Sequence, residues 1–238
     1  MHPHRSVFCF RALRWRVTQT LLILFLSAPA WSLDVWFIRH AESEFNVVEG
    51  ALPFPDDGVT YPLTPKGVRE AAALGAQFVG VQVDHLYSST RLRTLLTAAA
   101  ISLQTGTPIR LAPEAVEVSF GSAPDLGTDA FPVLQRWVEG DADARAHHDG
   151  AESLNDLRTR FLPFWEQLVA QHGDDDGLLV LVTHGALIMF MLAELCPSLA
   201  FENGELEGRV IGNAEVVKAV LEDGSLRCVT WAGERIEN

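Results

Sequence analysis

The chain has 238 residues, of which 48% are hydrophobic and 21% charged, a composition that fits a folded protein and excludes a disordered or collagen-like chain. The first 30 residues hold four arginines and no acid, so residues 31–238 carry 14 basic against 31 acidic side chains, a net charge of −17. This acidity argues against non-specific nucleic-acid binding, and it means that any bound anion needs a small pocket where positive charge is concentrated.

The N-terminal segment, residues 1–30, has the order of a secretory signal. Its first 16 residues are basic, and residues 21–30 (LLILFLSAPA) form an apolar core that ends on a small-residue cleavage pattern, Ala28-x-Ala30. A spanning helix needs about 20 apolar residues, so a stable membrane span is not expected. The alternatives are a non-native extension on a cytoplasmic protein and a membrane anchor. In each case the folded domain is expected to occupy residues 32–238.

The cysteines are few and widely spaced. Cys9, Cys196 and Cys228 include no C-x-x-C pattern, so neither a disulfide framework nor a structural zinc site is expected. Cleavage of the signal removes Cys9. The remaining two cysteines can pair in an oxidising compartment, but their positions in the sequence do not tell whether they are close together.

The first half of the body alternates strands with helices. Residues 33–38 (LDVWFI) are typical of a buried strand, and a long loop over residues 41–61 follows. Thr64 and Pro65 are an N-cap and a first helical residue. The helix they begin has apolar residues at three- and four-residue spacing, namely Val68, Ala71, Ala72, Gly75, Phe78 and Val79. Then come a strand (83–88), a helix (91–104) ended by Gly106, and a brief strand (109–111).

The second half continues the alternation after an irregular stretch, residues 113–150, that contains a predicted helix around residues 130–139. The remaining predicted elements are a helix (153–172), an uncharged strand (178–183), a helix (186–195) and an edge hairpin of strands 214–221 and 226–231. Strands that alternate with helices predict an α/β fold: a three-layer α/β/α domain with a mostly parallel central sheet.

The strand ends carry the residues suited to chemistry, because active sites in such sheets lie at the C-terminal ends of the strands. Arg39-His40 follow the first strand, Arg91 and Arg93 follow the second, and His184-Gly185 follow the uncharged strand. In an acidic protein this is a local positive site, and its natural guest is a phosphate dianion. Arg91 either belongs to a solvated face or contacts the substrate.

Four segments, in this order, resemble the histidine phosphatase superfamily, which includes the phosphoglycerate mutases. They are RHAESEFN (39–46), SSTRLR (88–93), EVSFG (117–121) and VTHG (182–185), with Ala41 where the family usually has Gly. The resemblance implies a phosphoglycerate mutase-like fold and a phosphohistidine intermediate. It implies His40 as the nucleophile and Glu117 as the proton donor, with Glu114 as the alternative acid. The implied phosphate ligands are Arg39, Asn46, Arg93, His184 and Gly185.

The function that this resemblance implies is a metal-independent phosphatase, without a cofactor, that hydrolyses a small phosphate monoester. Phosphoglycerate mutase-type transfer and non-catalytic binding of a phosphorylated ligand are the alternatives. His184 lies 67 positions after Glu117, and the stretch between them contains no Lys and only four Arg. A mutase needs a second group of positive side chains to hold its substrate, so the scarcity of such residues favours the phosphatase. If residues 1–30 are a secretory signal, the protein is periplasmic or secreted; if they are not, it is cytoplasmic. The oligomeric state stays open.

Overall fold

A seven-stranded sheet forms the centre of the protein. The computed structural model describes residues 32–53, 56, 59–122, 124–199 and 210–236, so the signal-like segment lies outside the described residues. The strands are β1 (Ser32–Arg39), β2 (His85–Ser88), β3 (Ile109–Leu111), β4 (Gly177–Thr183), β5 (Val216–Glu222), β6 (Ser225–Trp231) and β7 (Glu234–Arg235). The α-helices are α1 (Glu44–Val47), α2 (Pro65–Ala76), α3 (Leu92–Thr105), α4 (Phe131–Val138), α5 (Leu154–His172) and α6 (Gly185–Leu195).

The strand order is β3-β2-β4-β1-β5-β6-β7. The pairs β3–β2, β2–β4 and β4–β1 are parallel, and the pairs from β1 through β7 are antiparallel. Asp223 and Gly224, both with positive φ, close the predicted hairpin between β5 and β6. The hairpin is not the edge of the sheet, however, because β7 pairs with β6 on its outer side. β7 was not predicted because a strand of two residues is too short to show an alternating pattern in the sequence.

Side chains that alternate along β4 point into two different hydrophobic clusters. Leu179 and Leu181 pack into the cluster that contains α5 and α6, whereas Val180 and Val182 pack into the cluster that contains α2 and α3. A strand that is apolar on both faces is buried on both faces. The predicted three-layer α/β/α architecture with a parallel core is therefore confirmed.

The buried stripe of α2 is narrower than the periodicity predicts. Thr64 caps the helix and Pro65 begins it, as expected. Val68 and Val79 are more than half exposed, however, and Ala72 is exposed. The reason is close packing against α3, since a Cβ on Gly75 would lie 2.6 Å from the carbonyl oxygen of Ala100. The helices α2 and α3 meet at small residues such as Gly75 and Ala100, and the side chains of Val68 in α2 and Val79 beyond its end stay exposed to solvent.

The structure also departs from the predictions outside α2. The loop over residues 41–61 contains the single-turn helix α1.

Among the described residues, no helix combines the length and apolar character needed to cross a bilayer.

A disulfide joins α6 to β6. Cys196 caps the C-terminal end of α6 and Cys228 lies in β6, and the two buried residues are bonded with their Cα atoms 5.8 Å apart. The pairing that the sequence left open is therefore present in the structure.

Candidate active site

The carboxyl ends of three neighbouring parallel strands bring the predicted site residues together. Arg39, the last residue of β1, lies opposite Thr183 of β4, so His40 and His184 follow on adjacent strands. The centres of the two imidazole rings are 5.1 Å apart. Arg93 enters from the first turn of α3, which follows β2. Parallel strands end at one edge of a sheet, and this explains why residues from three distant motifs meet here.

His40 is held in the form that can act as a nucleophile. Its ring is 2% exposed, and Nδ1 lies 2.7 Å from the Ala41 carbonyl oxygen. A carbonyl only accepts hydrogen bonds, so Nδ1 carries the proton and Nε2 keeps its lone pair. Burial, and then the nearby Arg93 guanidinium, hold the pKa of His40 well below its usual value of 6.5. The imidazole is therefore neutral at physiological pH.

Arg93 presents one edge of its guanidinium to His40. The side chain is 1% exposed, and its Nε donates to His40 Nε2 at 3.3 Å. Its Nη1 and Nη2 donate to the two carboxylate oxygens of Asp56 at 3.0 and 2.9 Å. The ring of Phe45 lies 4.6 Å from the guanidinium carbon. Asp56 and Phe45 thus fix the guanidinium so that the edge bearing Nε faces His40.

Arg39 lies across the N-terminus of α6. Its Nη1 donates to the carbonyl of Ile211 at 2.5 Å, and burial lowers its pKa. A Cβ on Gly185 would lie 3.3 Å from Arg39 Nε, so a side chain at residue 185 would crowd the guanidinium. The Gly185 N–H itself belongs to the first turn of α6, whose amides have no partner inside the helix and attract anions.

His184 is completely buried, with its Nε2 2.7 Å from the Ser89 hydroxyl. Ser89 Oγ accepts the Arg91 N–H, so its own proton is free to go to Nε2, and Nδ1 of His184 then carries the ring proton. Burial, followed by the charge of Arg93, holds the pKa of His184 well below 6.5. His184 is therefore a neutral donor at this site.

Three buried polar side-chain atoms lack a hydrogen-bond partner in the described part of the chain: Arg39 Nε, His184 Nδ1 and Arg91 Nε. Arg91 Nε still forms an ion pair with Asp56 at 3.3 Å, whereas the other two atoms belong to the residue before His40 and to the ring centred 5.1 Å from that of His40. Unpaired buried donors are costly, and an anion in front of His40 would satisfy them.

Asn46 adds a further donor. Its Oδ1 accepts from the Ser43 N–H and hydroxyl, both at 3.0 Å, and from Asn213 Nδ2 at 3.2 Å. Because the oxygen is used in this way, the amide nitrogen is the end that can donate into the cavity in front of His40, which Asn46 lines. Asn213 also donates to the His40 carbonyl at 3.1 Å.

Glu117 caps the N-terminus of α6. Its carboxylate accepts the N–H groups of Ala186 at 3.2 Å and Leu187 at 3.1 Å, besides that of Val118 at 3.0 Å. Glu117 lines both described cavities beside the site, and Glu114 lines neither. The position of Glu117 fits the predicted acid better than that of Glu114.

Four residues at this site were not identified from the sequence as site residues: Asp56, Phe45, Ser89 and Asn213. Arg91, for which two alternatives were open, turns towards the site, with its side chain 21% exposed and paired with Asp56. The only available signal was for Ser89, which directly follows a strand, whereas a lone Asp, Phe or Asn in a loop has no distinguishing pattern.

The four arginines between Glu117 and His184 are neutralised elsewhere. None of them lines either described cavity beside the site. Each pairs with an acid: Arg136 with Asp141, Arg145 with Asp156, Arg158 with Glu194, and Arg160 with Glu152. The expectation that this stretch supplies no second anion clamp agrees with these pairs.

The buried histidines should make the fold sensitive to mild acid. The folded-state pKa values of His40 and His184 are held well below 6.5 and that of His172 is lowered too, so their contribution is complete above pH 6.5 and is lost as pH falls below it. Each histidine contributes at most about 1.4 kcal/mol per pH unit once the unfolded state protonates. We expect the free energy of unfolding in urea to fall by about 2–3 kcal/mol between pH 7.5 and 5.5. The variant His40→Gln should show a smaller dependence, and a constant stability would mean that the folded state takes up the protons.

Comparisons with known proteins identify the family to which the chain is similar. The sequence model of the histidine phosphatase superfamily (branch 1) matches residues 35–233. Phosphoserine phosphatase 1 of Hydrogenobacter thermophilus is 28% identical over 155 residues, which cover 62% of this chain and 68% of that protein. A 2,3-bisphosphoglycerate-dependent phosphoglycerate mutase of Beijerinckia indica is 29% identical over 189 residues, covering 70% and 86%. The solved structure of a mycobacterial glucosyl-3-phosphoglycerate phosphatase shares the fold, with a TM-score of 0.66, 24% identity and coverage of 84% and 99%.

Proposed function

This chain belongs to branch 1 of the histidine phosphatase superfamily, and from that premise we propose that it is a metal-independent phosphatase of small phosphate monoesters. The names of its relatives support phosphatase activity. The observation that carries the proposal is that His40 is neutral with an unprotonated Nε2, and that the buried donors Arg39 Nε and His184 Nδ1 beside it have no hydrogen-bond partner among the described residues.

The first half-reaction transfers the phosphoryl group to the protein. His40 Nε2 attacks phosphorus, the P–N bond forms, and the P–O bond to the leaving alcohol breaks. A proton from the Glu117 carboxyl group goes to the departing alkoxide. Since Glu117 is held by amide N–H groups, one oxygen must carry that proton and face the cavity for this step.

The second half-reaction regenerates the enzyme. Glu117, now a carboxylate, takes a proton from water as the water oxygen attacks the phosphohistidine. The P–N bond breaks, inorganic phosphate leaves, and His40 returns to its neutral form.

The remaining residues supply charge and orientation. Arg39 Nε, the Nε edge of Arg93 and His184 Nδ1 donate to the phosphoryl oxygens, with Asn46 and the Gly185 N–H as further donors. Donors that are fixed before the reaction stabilise the developing charge without reorganisation, which is the main source of rate in phosphoryl transfer.

The test is turnover of a panel of phosphate monoesters by purified residues 31–238 in excess EDTA, with inorganic phosphate as the measured product. We expect hydrolysis that EDTA does not reduce. Loss of turnover in EDTA and its recovery with added metal would contradict the metal-independent mechanism. No turnover across the panel would favour the non-catalytic binding alternative.

Phosphoglycerate mutase activity is the second candidate, because one of the relatives is named as such a mutase. The paired arginines 136, 145, 158 and 160 speak against it, since a substrate with a carboxylate and two phosphate positions needs a second cluster of positive charge. Incubation with 3-phosphoglycerate separates the two: a phosphatase releases inorganic phosphate, whereas a mutase forms 2-phosphoglycerate.

Replacing Arg93 by alanine should weaken phosphate binding strongly. The change removes a charge-assisted contact of about 1.5–3 kcal/mol and leaves Asp56, with Arg91 as its remaining ion-pair partner, beside the incoming dianion. We expect kcat/KM to fall by about 10- to 200-fold and vanadate inhibition to weaken in parallel.

Two variants control this experiment. Arg136→Ala removes an exposed arginine outside the site and should keep full activity. Adding Asp56→Asn to Arg93→Ala should recover part of the loss, because it removes a negative charge beside the bound dianion and releases Arg91 from its ion pair. Unchanged vanadate binding in Arg93→Ala would place Arg93 outside the phosphate pocket.

We also propose that the protein is exported, with residues 1–30 as its signal. The buried Cys196–Cys228 disulfide supports this proposal, because such bonds persist in oxidising compartments. Amino-terminal sequencing of the native protein should give a start near residue 31, and thiol labelling should detect no free cysteine without reductant. A native N-terminus at Met1 would contradict cleavage.

A further inference from the structure

The cavity in front of His40 has a lining that is partly polar and partly hydrocarbon. Its volume is about 150 Å³, and the polar part of the lining comes from Arg39, His40, Asn46, Glu117 and Gly185. The hydrocarbon part includes Phe45, Phe120, Phe131, Leu134, Met189 and Val210. The space next to the nucleophile position is therefore bordered by apolar side chains as well as by donors to a phosphate.

The rim of this cavity exposes large apolar side chains. Phe131, at the start of α4, is 55% exposed, and Val210 is 51% exposed. A single exposed apolar residue is ordinary, but two that border the same cavity form an apolar rim, and apolar rims of this kind are typical of ligand-binding sites.

Among the described residues, the charges around the site do not provide for a second anion. Arg39, which already faces the phosphoryl position, is the one cation among the described residues that line this cavity. The neighbouring cavity, of about 230 Å³, contains Arg91, which pairs with Asp56, and the carboxyl groups of Glu117 and Asp149 line it as well. The charge of Arg91 is thus already compensated, and the described lining of that cavity does not favour an anionic substituent.

From this lining we infer the class of substrate: a phosphate monoester of an apolar alcohol, with an alkyl or aromatic group that lies against Phe45, Phe131 and Met189. This inference rests on the proposed function and adds to it the organic half of the substrate. The polar lining holds the phosphate, while the apolar group displaces water from the hydrocarbon lining, and each buried methylene group adds to affinity.

The experiment compares esters whose leaving groups are chemically alike. Hexyl phosphate, glycerol 3-phosphate and 3-phosphoglycerate all release an alkoxide, so differences in kcat/KM report binding of the organic group rather than leaving-group reactivity. We expect hexyl phosphate to exceed both others by at least tenfold. As a readout independent of turnover, hexylphosphonate should bind at least tenfold more tightly than methylphosphonate in calorimetry.

Two variants locate the effect. Phe131→Ala should reduce the ratio of kcat/KM for hexyl phosphate over glycerol 3-phosphate by about three- to tenfold, because it removes part of the apolar wall. Leu103→Ala removes an 81% exposed side chain on α3, away from the cavity, and should leave the ratio as it is.

The outcomes separate this inference from the proposed function. If 3-phosphoglycerate or glycerol 3-phosphate is hydrolysed as well as or better than hexyl phosphate, the apolar substrate class is wrong and the phosphatase stands. If no ester is hydrolysed but hexylphosphonate keeps its advantage, the cavity binds as inferred and the catalytic proposal fails. Equal binding of the two phosphonates overturns the inference whatever the activity.

Discussion

His40→Ala should reduce phosphatase turnover to below about a thousandth of the wild-type rate. The nucleophile has no substitute, and the help that remains from acid–base catalysis is typically worth about 10²–10⁴. The structure favours this residue over His184, because His40 lines the cavity beside the site with an unprotonated Nε2, whereas His184 lines neither described cavity. The measurement is the steady-state release of inorganic phosphate.

A covalent label tests the same role directly. A ³²P substrate, quenched during turnover, should leave an acid-labile and base-stable label on wild-type protein that is absent in His40→Ala. The exposed His147 supplies a matched control, since His147→Ala should keep both label and activity. Circular dichroism should show that His40→Ala is folded. Residual turnover above a thousandth of wild type, in a folded variant, contradicts covalent catalysis by His40.

Glu117→Gln should separate substrates by their leaving group. An alkyl ester leaves as an alkoxide that needs a proton, so its phosphorylation step should slow by about 10²–10⁴, whereas p-nitrophenyl phosphate should lose much less. Water attack also needs the base, so the aryl ester should show a burst followed by slow turnover. Pre-steady-state rates are therefore the measurement.

The structure adds a second consequence of this substitution. Both carboxylate oxygens of Glu117 accept amide N–H groups, two of them from the first turn of α6, and a glutamine has only one accepting end. We expect Glu117→Gln to lower the free energy of unfolding by about 1–3 kcal/mol. This loss of stability affects the assays of all esters alike, so the difference in rate between alkyl and aryl esters isolates proton transfer.

Glu114→Gln is the control, since Glu114 lies three residues away and lines neither described cavity. It should leave both rates close to wild type. Should Glu114→Gln instead produce the leaving-group-dependent loss, the acid is Glu114. Equal losses on alkyl and aryl esters in Glu117→Gln would assign Glu117 a structural role alone.

Local patterns in the sequence determined most of the fold. The uncharged run in β4 and the apolar run in β1 identified the two central strands, and Thr64 with Pro65 located the start of α2. These signals are readable because each depends on residues that are neighbours in the chain. The same holds for His40 and His184, because each directly follows a strand and strand ends define the edge of a parallel sheet.

Contacts between distant residues were decided only by the tertiary structure. Asp56 orients Arg93 across 37 residues, Asn213 reaches the His40 carbonyl across 173, and Cys196 pairs with Cys228 across 32. The role of Glu117 as a cap of α6 likewise depends on a contact 69 residues away. No periodicity encodes such pairs, because they depend on how loops fold back over the sheet. The sequence alone therefore determined which groups are proposed to perform the chemistry, and packing decided how each of them is oriented and charged.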